Sequence, residues 1–253
     1  MIGIVGGVGP YAGLDLLKKI FDNTLAKTDQ EHLDVILLSM SSKIEDRTEY
    51  LLGSIEENPG YALAQIILKL ENTGAKVAGI PCNTAHSKKI FDIIQQLLQQ
   101  AGSSIKLLNM VDETIRFIQT LSSGITHVGV LSTTGTYKSG IYSIPLQEKG
   151  YQVILPTLQL QEDVIHPAIY HPVYGIKTIS NPIRQEARKN LLHGIDFLKE
   201  QGAEAVILGC TEISLAFPEK YINGLLTIDP TAILARALIN AVNPQKLKPL
   251  THA

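Results

Sequence analysis

Short apolar runs alternate with helical segments along most of this chain. Two of the runs, V-I-L-L and A-V-I-L, are apolar at every position, as in parallel strands that are covered on both faces. The stretch after Asn58 has the spacing of an amphipathic helix, with Ile66 and Leu70 on one face. The pattern predicts an α/β fold with parallel sheets flanked by helices. The predicted strands are Ile2–Val5, Val35–Leu38, Val77–Ile80, Ile105–Leu108, Val128–Leu131, Val153–Leu155, Ala205–Leu208 and Leu225–Ile228.

The least regular segment is Gln159–Thr178, which contains His166-Pro167 and His171-Pro172. Irregular segments of this length inside a compact domain are uncommon and are often functional. We therefore expect a loop that forms a lid or the wall of a pocket.

The chain also repeats part of its own pattern. Residues 72–84 read N-T-G-A-K-V-A-G-I-P-C-N-T and residues 200–212 read E-Q-G-A-E-A-V-I-L-G-C-T-E, which pairs Cys82 with Cys210. I-G-I-V-G-G-V-G at 2–9 resembles V-G-V-L-S-T-T-G at 128–135, and V-D-E-T at 111–114 resembles I-D-P-T at 228–231. Because the three matches occur in one order, we expect two similar lobes related by a pseudo-two-fold axis. The N-terminal lobe would comprise residues 1–115 and 230–253, and the C-terminal lobe residues 116–229.

Each of the two cysteines follows the carboxyl end of an apolar strand, where ligands collect in α/β sheets. A helix after each cysteine would direct backbone N–H groups at the sulfur and lower the pKa of the thiol toward neutrality. Three other interpretations remain open. The cysteines could be small buried hydrophobes, a redox pair without the C-x-x-C spacing, or zinc ligands with only His86 nearby.

The glycine-rich start formally fits a dinucleotide-binding fingerprint, since Gly7-x-Gly9-x-x-Ala12 has its spacing. However, Pro10 interrupts the motif, and the second strand ends without the acidic residue that binds a ribose. We expect instead that the turn at Gly7 lets the backbone approach a small anionic ligand.

Composition and charge narrow the possible partners and compartment. The net charge of −2, without a basic run, gives no support for a nucleic-acid or membrane-surface partner. No apolar run approaches the roughly 20 residues that cross a bilayer, and the start has the pattern of a strand rather than a signal peptide. Two cysteines cannot form a disulfide framework, so we expect a reduced, cytoplasmic protein.

Six motifs resemble the cofactor-independent aspartate/glutamate racemase family, most closely its aspartate racemase branch. They are G-G-V-G-P (6–10), D-R-T-E-Y-L-L-G (46–53), P-C-N-T-A-H (81–86), L-S-T-T-G-T (131–136), Y-G-I-K (174–177) and G-C-T-E (209–212). The resemblance covers almost the whole chain, and P-C-N-T-A-H together with G-C-T-E is its most specific part. The chain departs from the family at Val8, where many aspartate racemases carry Met, which leaves side-chain selectivity open.

The resemblance implies a two-lobed α/β fold with an active site between the lobes. It also implies racemisation without pyridoxal phosphate, metal or nucleotide, with Cys82 and Cys210 as the two acid/base residues. The substrate-binding residues would be Arg47, Asn83, Thr84, Thr133, Lys177 and Thr211. The supporting residues would be Gly7, Glu212 and His86.

Three of these residues have simpler interpretations when the resemblance is set aside. Arg47 lies between acidic neighbours and is more typical of a solvated salt-bridge cluster. Lys177 alone is more typical of a surface charge, and His86 of a residue that stacks on a neighbour.

We expect a homodimeric enzyme that interconverts L- and D-aspartate, with glutamate as a further substrate. One alternative is a broad-specificity amino-acid racemase. Others are a related two-cysteine enzyme such as a hydantoin racemase, maleate isomerase or arylmalonate decarboxylase, and a non-catalytic amino-acid-binding protein. Neutral substrates would not require the two cations Arg47 and Lys177, so substrate range separates these alternatives.

Overall fold

The computed structural model describes residues 1–121 and 124–250. The strands in these residues are β1 (Ile2–Gly6), β2 (Val35–Ser39), β3 (Val77–Gly79), β4 (Lys106–Leu108), β5 (His127–Ser132), β6 (Gln152–Ile154), β7 (Ala205–Gly209), β8 (Tyr221–Ile222) and β9 (Leu225–Ile228). The α-helices are α1 (Pro10–Asn23), α2 (Arg47–Leu52), α3 (Gly60–Asn72), α4 (Lys88–Gln100), α5 (Met110–Thr120), α6 (Thr134–Ser139), α7 (Ser143–Glu148), α8 (Leu158–Leu160), α9 (His166–Tyr170), α10 (Gln185–Glu200), α11 (Thr211–Ala216) and α12 (Pro230–Val242). None of these described helices has the length and apolar character needed to span a bilayer.

Two sheets share one strand order, which confirms the predicted α/β fold with two similar lobes. The first sheet is β2-β1-β3-β4 and is parallel throughout; the second is β6-β5-β7-β9-β8, parallel except for β8. Ile2 pairs with Val77 in the first sheet, and Val128 pairs with Ala205 in the second, as the internal repeat requires. All eight predicted strands are present to within one residue at each end; β8 was missed because two residues are too few to show a pattern.

The third match of the internal repeat is wrong by three residues. The Asn109 side chain caps α5 by accepting hydrogen bonds from the backbone N–H groups of the second and third helical residues. The Asp229 side chain caps α12 in the same way. The counterpart of Asp229 is therefore Asn109, which directly follows β4, and not Asp112 inside the first turn.

The apolar core covers both faces of each sheet and holds the strand ends in place. Helices α3 and α4 pack on one face of the first sheet, and α1 and α12 pack on the other, where Leu16 and Leu238 are fully buried. In the second sheet, α10 covers one face, and α5 and α7 the other. Each fully buried Leu or Ile contributes about 1.5–3 kcal/mol, so the strand ends that carry the site are rigidly supported.

The segment predicted to be an irregular loop, Gln159–Thr178, is helical in its first half. Helices α8 and α9 are joined by a π-helical turn at Gln161–Ile165. The amide of Gln161 donates hydrogen bonds to the Ser132 carbonyl oxygen (3.1 Å) and the Thr134 hydroxyl (3.2 Å), which ties this turn to the end of β5. The two prolines suggested a loop, but Pro167 lies in the first turn of α9, where no N–H is required.

Candidate active site

The two cysteines occupy equivalent places in the two lobes. Cys82 follows β3 and immediately precedes a 3₁₀ turn at Asn83–His86, and Cys210 directly follows β7 and precedes α11. Both are free thiols, and both are buried, with 6% and 4% of their surface exposed. Each sulfur therefore lies at the start of a helical turn, as the sequence predicts.

The residue two positions after each cysteine reaches the opposite lobe. The hydroxyl of Thr84 lies 3.1 Å from that of Thr133 at the end of β5, so the structure brings these two predicted residues together. Glu212 reaches the turn between β1 and α1, where a Cβ atom placed on Gly9 would lie only 2.2 Å from Glu212 Oε1. Both cysteine turns thus lie where the two sheets face each other.

Arg47 is a buried residue, so its interpretation as part of a solvated salt-bridge cluster is wrong. It is 6% exposed and is the first residue of α2, whose start is capped by the Asp46 side chain. Its guanidinium donates hydrogen bonds to the carbonyl oxygens of Val8 and Glu45. Burial alone would lower the pKa of Arg47, but the negative charges that Cys82 and Asp46 can carry raise it. A permanent positive charge therefore lies beside Cys82.

Glu212 connects Cys210 to a cation. Its Oε2 atom accepts hydrogen bonds from the Cys210 thiol (3.1 Å) and the Thr211 hydroxyl (3.0 Å), and its Oε1 atom lies 3.4 Å from Lys177 Nζ. Burial and then the Glu212 charge raise the pKa of Cys210 well above its ordinary value, so the lowering toward neutrality that the sequence predicts is wrong for this thiol. Burial would raise the pKa of Glu212 as well, but Lys177 holds it below its usual range.

Lys177 is not a solvated surface charge, since only 17% of its side chain is exposed. Its backbone N–H donates a hydrogen bond to the Ile169 carbonyl oxygen in α9 (3.0 Å). The turn that makes this contact needs Gly175, because a Cβ atom there would lie 2.5 Å from the His171 backbone nitrogen. The turn at Gly175 therefore fixes the position of the lysine against α9.

Tyr170 and Asp46 connect the two cations, and the sequence analysis did not predict this connection. The Tyr170 hydroxyl lies 3.4 Å from Asp46 Oδ1 and donates a hydrogen bond to it. Lys177 Nζ lies 5.5 Å from the centre of the Tyr170 ring. Tyr170 falls within the segment that was expected to be irregular, and without the helix its direction could not be inferred.

A cavity of about 220 Å³ opens where these groups meet. Its volume is below the ~300–1,000 Å³ of drug-sized ligand sites and suits a molecule of few heavy atoms. Arg47 and Glu212, which adjoin Cys82 and Cys210, form part of its wall. The lining residues are Gly7, Val8, Gly9, Pro10, Ser41, Ile44, Asp46, Arg47, Lys177, Ser180 and Glu212.

The remaining predicted substrate-binding residues lie in the two cysteine turns. Asn83 is buried, and its side-chain oxygen accepts a hydrogen bond from the Tyr142 hydroxyl of the second lobe. Its Nδ2 atom has no hydrogen-bond partner within residues 1–121 and 124–250, and the same holds for Arg47 Nε. The Thr211 hydroxyl donates a hydrogen bond to Glu212 Oε2. Asn83 and Arg47 thus provide buried donors that a ligand could engage.

The supporting residues Gly7 and His86 have separate structural roles. Gly7 has a φ of 88°, and a Cβ atom there would lie 2.6 Å from the Ser41 backbone nitrogen, so only glycine fits this turn. The His86 ring stacks on Phe91 with 5.2 Å between ring centres, as one interpretation of the sequence predicts. Its Nδ1 atom lies 2.8 Å from the Cys82 carbonyl oxygen, and burial lowers the pKa of His86 to about 4. A neutral imidazole therefore supports the backbone of the Cys82 turn.

The zinc-site interpretation finds no support in the geometry. No group of three His, Cys, Asp or Glu side chains is arranged to hold a metal ion in the part of the chain that the structure describes. Structural zinc sites use four such ligands, and catalytic sites use three.

Comparison with known proteins assigns the family. The model of the family described as Asp/Glu/Hydantoin racemase matches residues 5–238. The chain belongs to the Asp/Glu/hydantoin racemase family. This family member is 28% identical to the aspartate racemase of Picrophilus torridus, with a TM-score of 0.77 over 95% of this chain and 93% of that one.

Two more relatives show how similar the chain is to racemases of other specificity. The chain is 26% identical over 245 residues to the broad specificity amino-acid racemase RacX of Bacillus subtilis (strain 168), which covers 95% of this chain and 97% of RacX. It shares 19% identity with the Francisella tularensis glutamate racemase in complex with D-glutamate, with a TM-score of 0.66 over 99% and 83% of the two chains, a likeness of fold alone. Membership places this racemase-family chain among the isomerases that act on amino acids.

Proposed function

We propose that this racemase interconverts L- and D-aspartate, with glutamate as a further substrate, by proton transfer between Cys82 and Cys210. The observation that carries the proposal is the equivalent placement of the two buried thiols at the strand ends of facing lobes. A base on one side of a planar carbanion cannot reach the other face. Two bases, one from each lobe, can remove the Cα proton on one face and return a proton on the other.

The surroundings of the two sulfurs support unequal resting states. The permanent charge of the Arg47 guanidinium lies near Cys82, whereas the Cys210 thiol donates a hydrogen bond to the Glu212 carboxylate. Cys82 would then act first as base and Cys210 as acid, and the reverse reaction would exchange the two roles.

Stabilising the carbanion is the costly part of this reaction. The Cα proton of an amino acid is very weakly acidic, and the negative charge spreads onto the α-carboxylate once the proton is removed. The buried amide of Asn83 and the Thr84 and Thr133 hydroxyls would bind that carboxylate. Removing one such preorganised donor typically costs about 2.7–4 kcal/mol of barrier stabilisation.

Selectivity for an acidic side chain would come from the two buried cations. Arg47 can hold a carboxylate through two parallel hydrogen bonds, and Lys177 adds a second positive charge at the same cavity. A substrate carboxylate at Lys177 would compete with Glu212, its present partner at 3.4 Å. The small cavity favours aspartate over longer side chains.

A broad-specificity amino-acid racemase is the second candidate, and one feature of the cavity favours it. The wall carries two cations, Arg47 and Lys177, but also two carboxylates, Asp46 and Glu212. The wall is therefore balanced in charge and could accept a neutral side chain. Similarity to RacX supports the same alternative.

One assay separates these candidates. The purified chain, without added cofactor, is incubated with single enantiomers of aspartate, glutamate, alanine, serine and lysine, and both enantiomers are quantified by chiral chromatography. Turnover of aspartate far above the neutral amino acids supports the first proposal, and comparable rates support the second. Binding of amino acids without any turnover would identify a non-catalytic binding protein and refute both.

We propose the same lobe boundaries as the sequence indicates, with residues 1–115 and 230–253 against residues 116–229. Strand β9 belongs to the second sheet, whereas α12, which follows it, packs on α1 of the first lobe. Residues 122–123 and 251–253 lie outside the described residues.

We also propose a cytoplasmic homodimer. Two free thiols suit a reducing compartment. Two apolar helical stretches, 14–20 and 61–70, are candidate dimer surfaces. Each begins with an exposed side chain, Leu14 and Tyr61, but the cores of the lobes already bury Leu16, Ile20, Leu63 and Leu70. Light scattering on the purified chain tests the dimer, and a monomer at working concentration would contradict it.

A further inference from the structure

We infer that Tyr170 is a positioning residue that joins the two lobes and sets the places of Arg47 and Lys177 for the side-chain carboxylate of the substrate. The inference rests on the proposed function, since it concerns how that site selects a dicarboxylic substrate. The effect of Tyr170 would be exerted through the two cations.

Tyr170 contacts Lys177 directly and is linked to Arg47 through the neighbouring residue Asp46. Tyr170 is the last residue of α9, on the second lobe, and its hydroxyl donates a hydrogen bond across the cleft to Asp46 Oδ1 at 3.4 Å. Lys177 Nζ lies 5.5 Å from the ring centre, within the range of a cation–π interaction. The ring also stacks on His166, with 4.9 Å between ring centres.

The Asp46 oxygen that receives this hydrogen bond also fixes the start of α2. It accepts the backbone N–H groups of Thr48 (2.8 Å) and Glu49 (3.0 Å), and Arg47 is the first residue of that helix. A bond from Tyr170 to this oxygen therefore ties the Arg47 backbone to the lobe that carries Lys177. Without it, each cation would keep its own local contacts, but the spacing between them would no longer be held from one lobe to the other.

This arrangement assigns Tyr170 to recognition of the second carboxylate of a dicarboxylic substrate. A monocarboxylate can bind at the Asn83, Thr84 and Thr133 donors alone, whereas a dicarboxylate also places its second carboxylate at the two cations, whose spacing then matters. Loss of the hydroxyl should therefore weaken dicarboxylate binding selectively. Because a hydrogen bond to a charged group is worth more than a neutral one, we expect the loss to be about five- to tenfold in affinity.

The test compares Tyr170→Phe with Tyr174→Phe. The first change removes only the bridging hydroxyl and keeps the ring under Lys177 and against His166. Tyr174 is the matched control, since it lies in the same segment and stacks on His171 with 4.0 Å between ring centres, apart from the two cations. Calorimetric titration with succinate, a dicarboxylate without an exchangeable amino-acid centre, and with propionate measures recognition independently of turnover.

We expect Tyr170→Phe to bind succinate about five- to tenfold more weakly than the wild-type protein and to bind propionate unchanged, with Tyr174→Phe unchanged for both. In turnover, Tyr170→Phe should raise KM for aspartate by a similar factor and leave kcat close to wild type. Equal succinate affinity in the wild type and Tyr170→Phe, an equal loss in Tyr174→Phe, or no succinate binding by the wild type would overturn the inference. Succinate binding that behaves as expected in a protein that racemises nothing would instead refute the proposed function alone.

Discussion

The carboxylate of Glu212 accepts a hydrogen bond from the Cys210 thiol (3.1 Å) and at the same time faces Lys177 Nζ at 3.4 Å. The equivalent cysteine of the other lobe, Cys82, has no carboxylate two positions later, where Thr84 stands, and faces the Arg47 guanidinium instead. Two thiols that the fold places equivalently are thus surrounded by opposite charges. Under the proposed two-base mechanism, this difference in charge would distinguish the acid from the base.

Glu212→Gln should lower the pKa of Cys210. Burial and the Glu212 charge are the two largest causes that raise this pKa, and the substitution removes the second while keeping the shape of the side chain. The thiolate of Cys210 would then appear at lower pH. The measurement is the ultraviolet absorbance of the thiolate against pH in proteins that carry Cys82→Ala. Glu162→Gln, which changes an exposed partner of Lys138, serves as the control. An unchanged or higher titration midpoint would contradict the role given to Glu212.

Gly9→Ala should damage the site without damaging the fold. Its φ of 179° is extended backbone that alanine adopts readily, but the new Cβ atom would lie 2.2 Å from Glu212 Oε1. Since Glu212 is held by Cys210, Thr211 and Lys177, its displacement should disturb that network and reduce kcat at least about tenfold. The melting temperature should remain close to wild type.

Gly7→Ala should instead damage the fold. Gly7 has a φ of 88°, and the new Cβ atom would lie 2.6–2.9 Å from backbone atoms of Met40 and Ser41, so the substitution strains the backbone itself. We expect a loss of roughly 1–3 kcal/mol in the free energy of unfolding. Equal destabilisation by both glycine substitutions would show that Gly9 acts on folding and not on the site.

Arg47→Ala should reduce kcat/KM for aspartate by about 30-fold or more, because truncating one partner of a buried charge contact typically costs about 2–5 kcal/mol. Arg116→Ala is the matched control, since Arg116 is exposed and forms a surface ion pair with Glu113 on the same helix. Such surface pairs are worth roughly 0–1 kcal/mol, so the control should behave like the wild type. Kinetics of Arg47→Ala near those of the control would remove Arg47 from carboxylate recognition.

His86→Gln should flatten the dependence of stability on pH in the acidic range. Burial lowers the pKa of His86 from 6.5 to about 4 in the folded protein, so between these values the unfolded chain binds a proton that the folded chain does not. Stability therefore falls as pH drops from about 6.5 toward 4, by up to about 3 kcal/mol from this one group. Urea unfolding across this range measures the slope. His193→Gln, on the exposed side of α10, is the control, and equal slopes in wild type and His86→Gln would contradict the argument.

The sequence was sufficient to predict the fold class, the strands and the placement of both cysteines, because strands buried on both faces leave long apolar runs. The sequence repeat that pairs Cys82 with Cys210 corresponds to two sheets with the same strand order. The match of Asp112 with Asp229 was wrong. Either Asn or Asp can cap a helix, so the residue equivalent to Asp229 is Asn109, about one turn before the identical residue Asp112.

The candidate site was predictable residue by residue but not as a network. The family resemblance picked out Arg47, Lys177 and Glu212, but their pairing depends on contacts between segments far apart in the chain. The acidic neighbours of Arg47 in the sequence suggested an exposed ion-pair cluster. In the structure Asp46 instead caps α2, so the neighbours did not indicate that Arg47 is buried. Tyr170 was missed because prolines in its segment suggested a loop, and only the helical course of 158–170 directs its ring at the cations.

The most direct test of the two-base claim is isotope exchange during racemisation of L-aspartate in heavy water. With one sulfur on each face of Cα, solvent deuterium should appear early in the D-aspartate product while the remaining L-aspartate keeps its hydrogen, and Cys82→Ser and Cys210→Ser should each lose racemisation. Deuterium entering substrate and product at equal rates, or undiminished racemisation by either variant, would contradict the transfer of protons between Cys82 and Cys210.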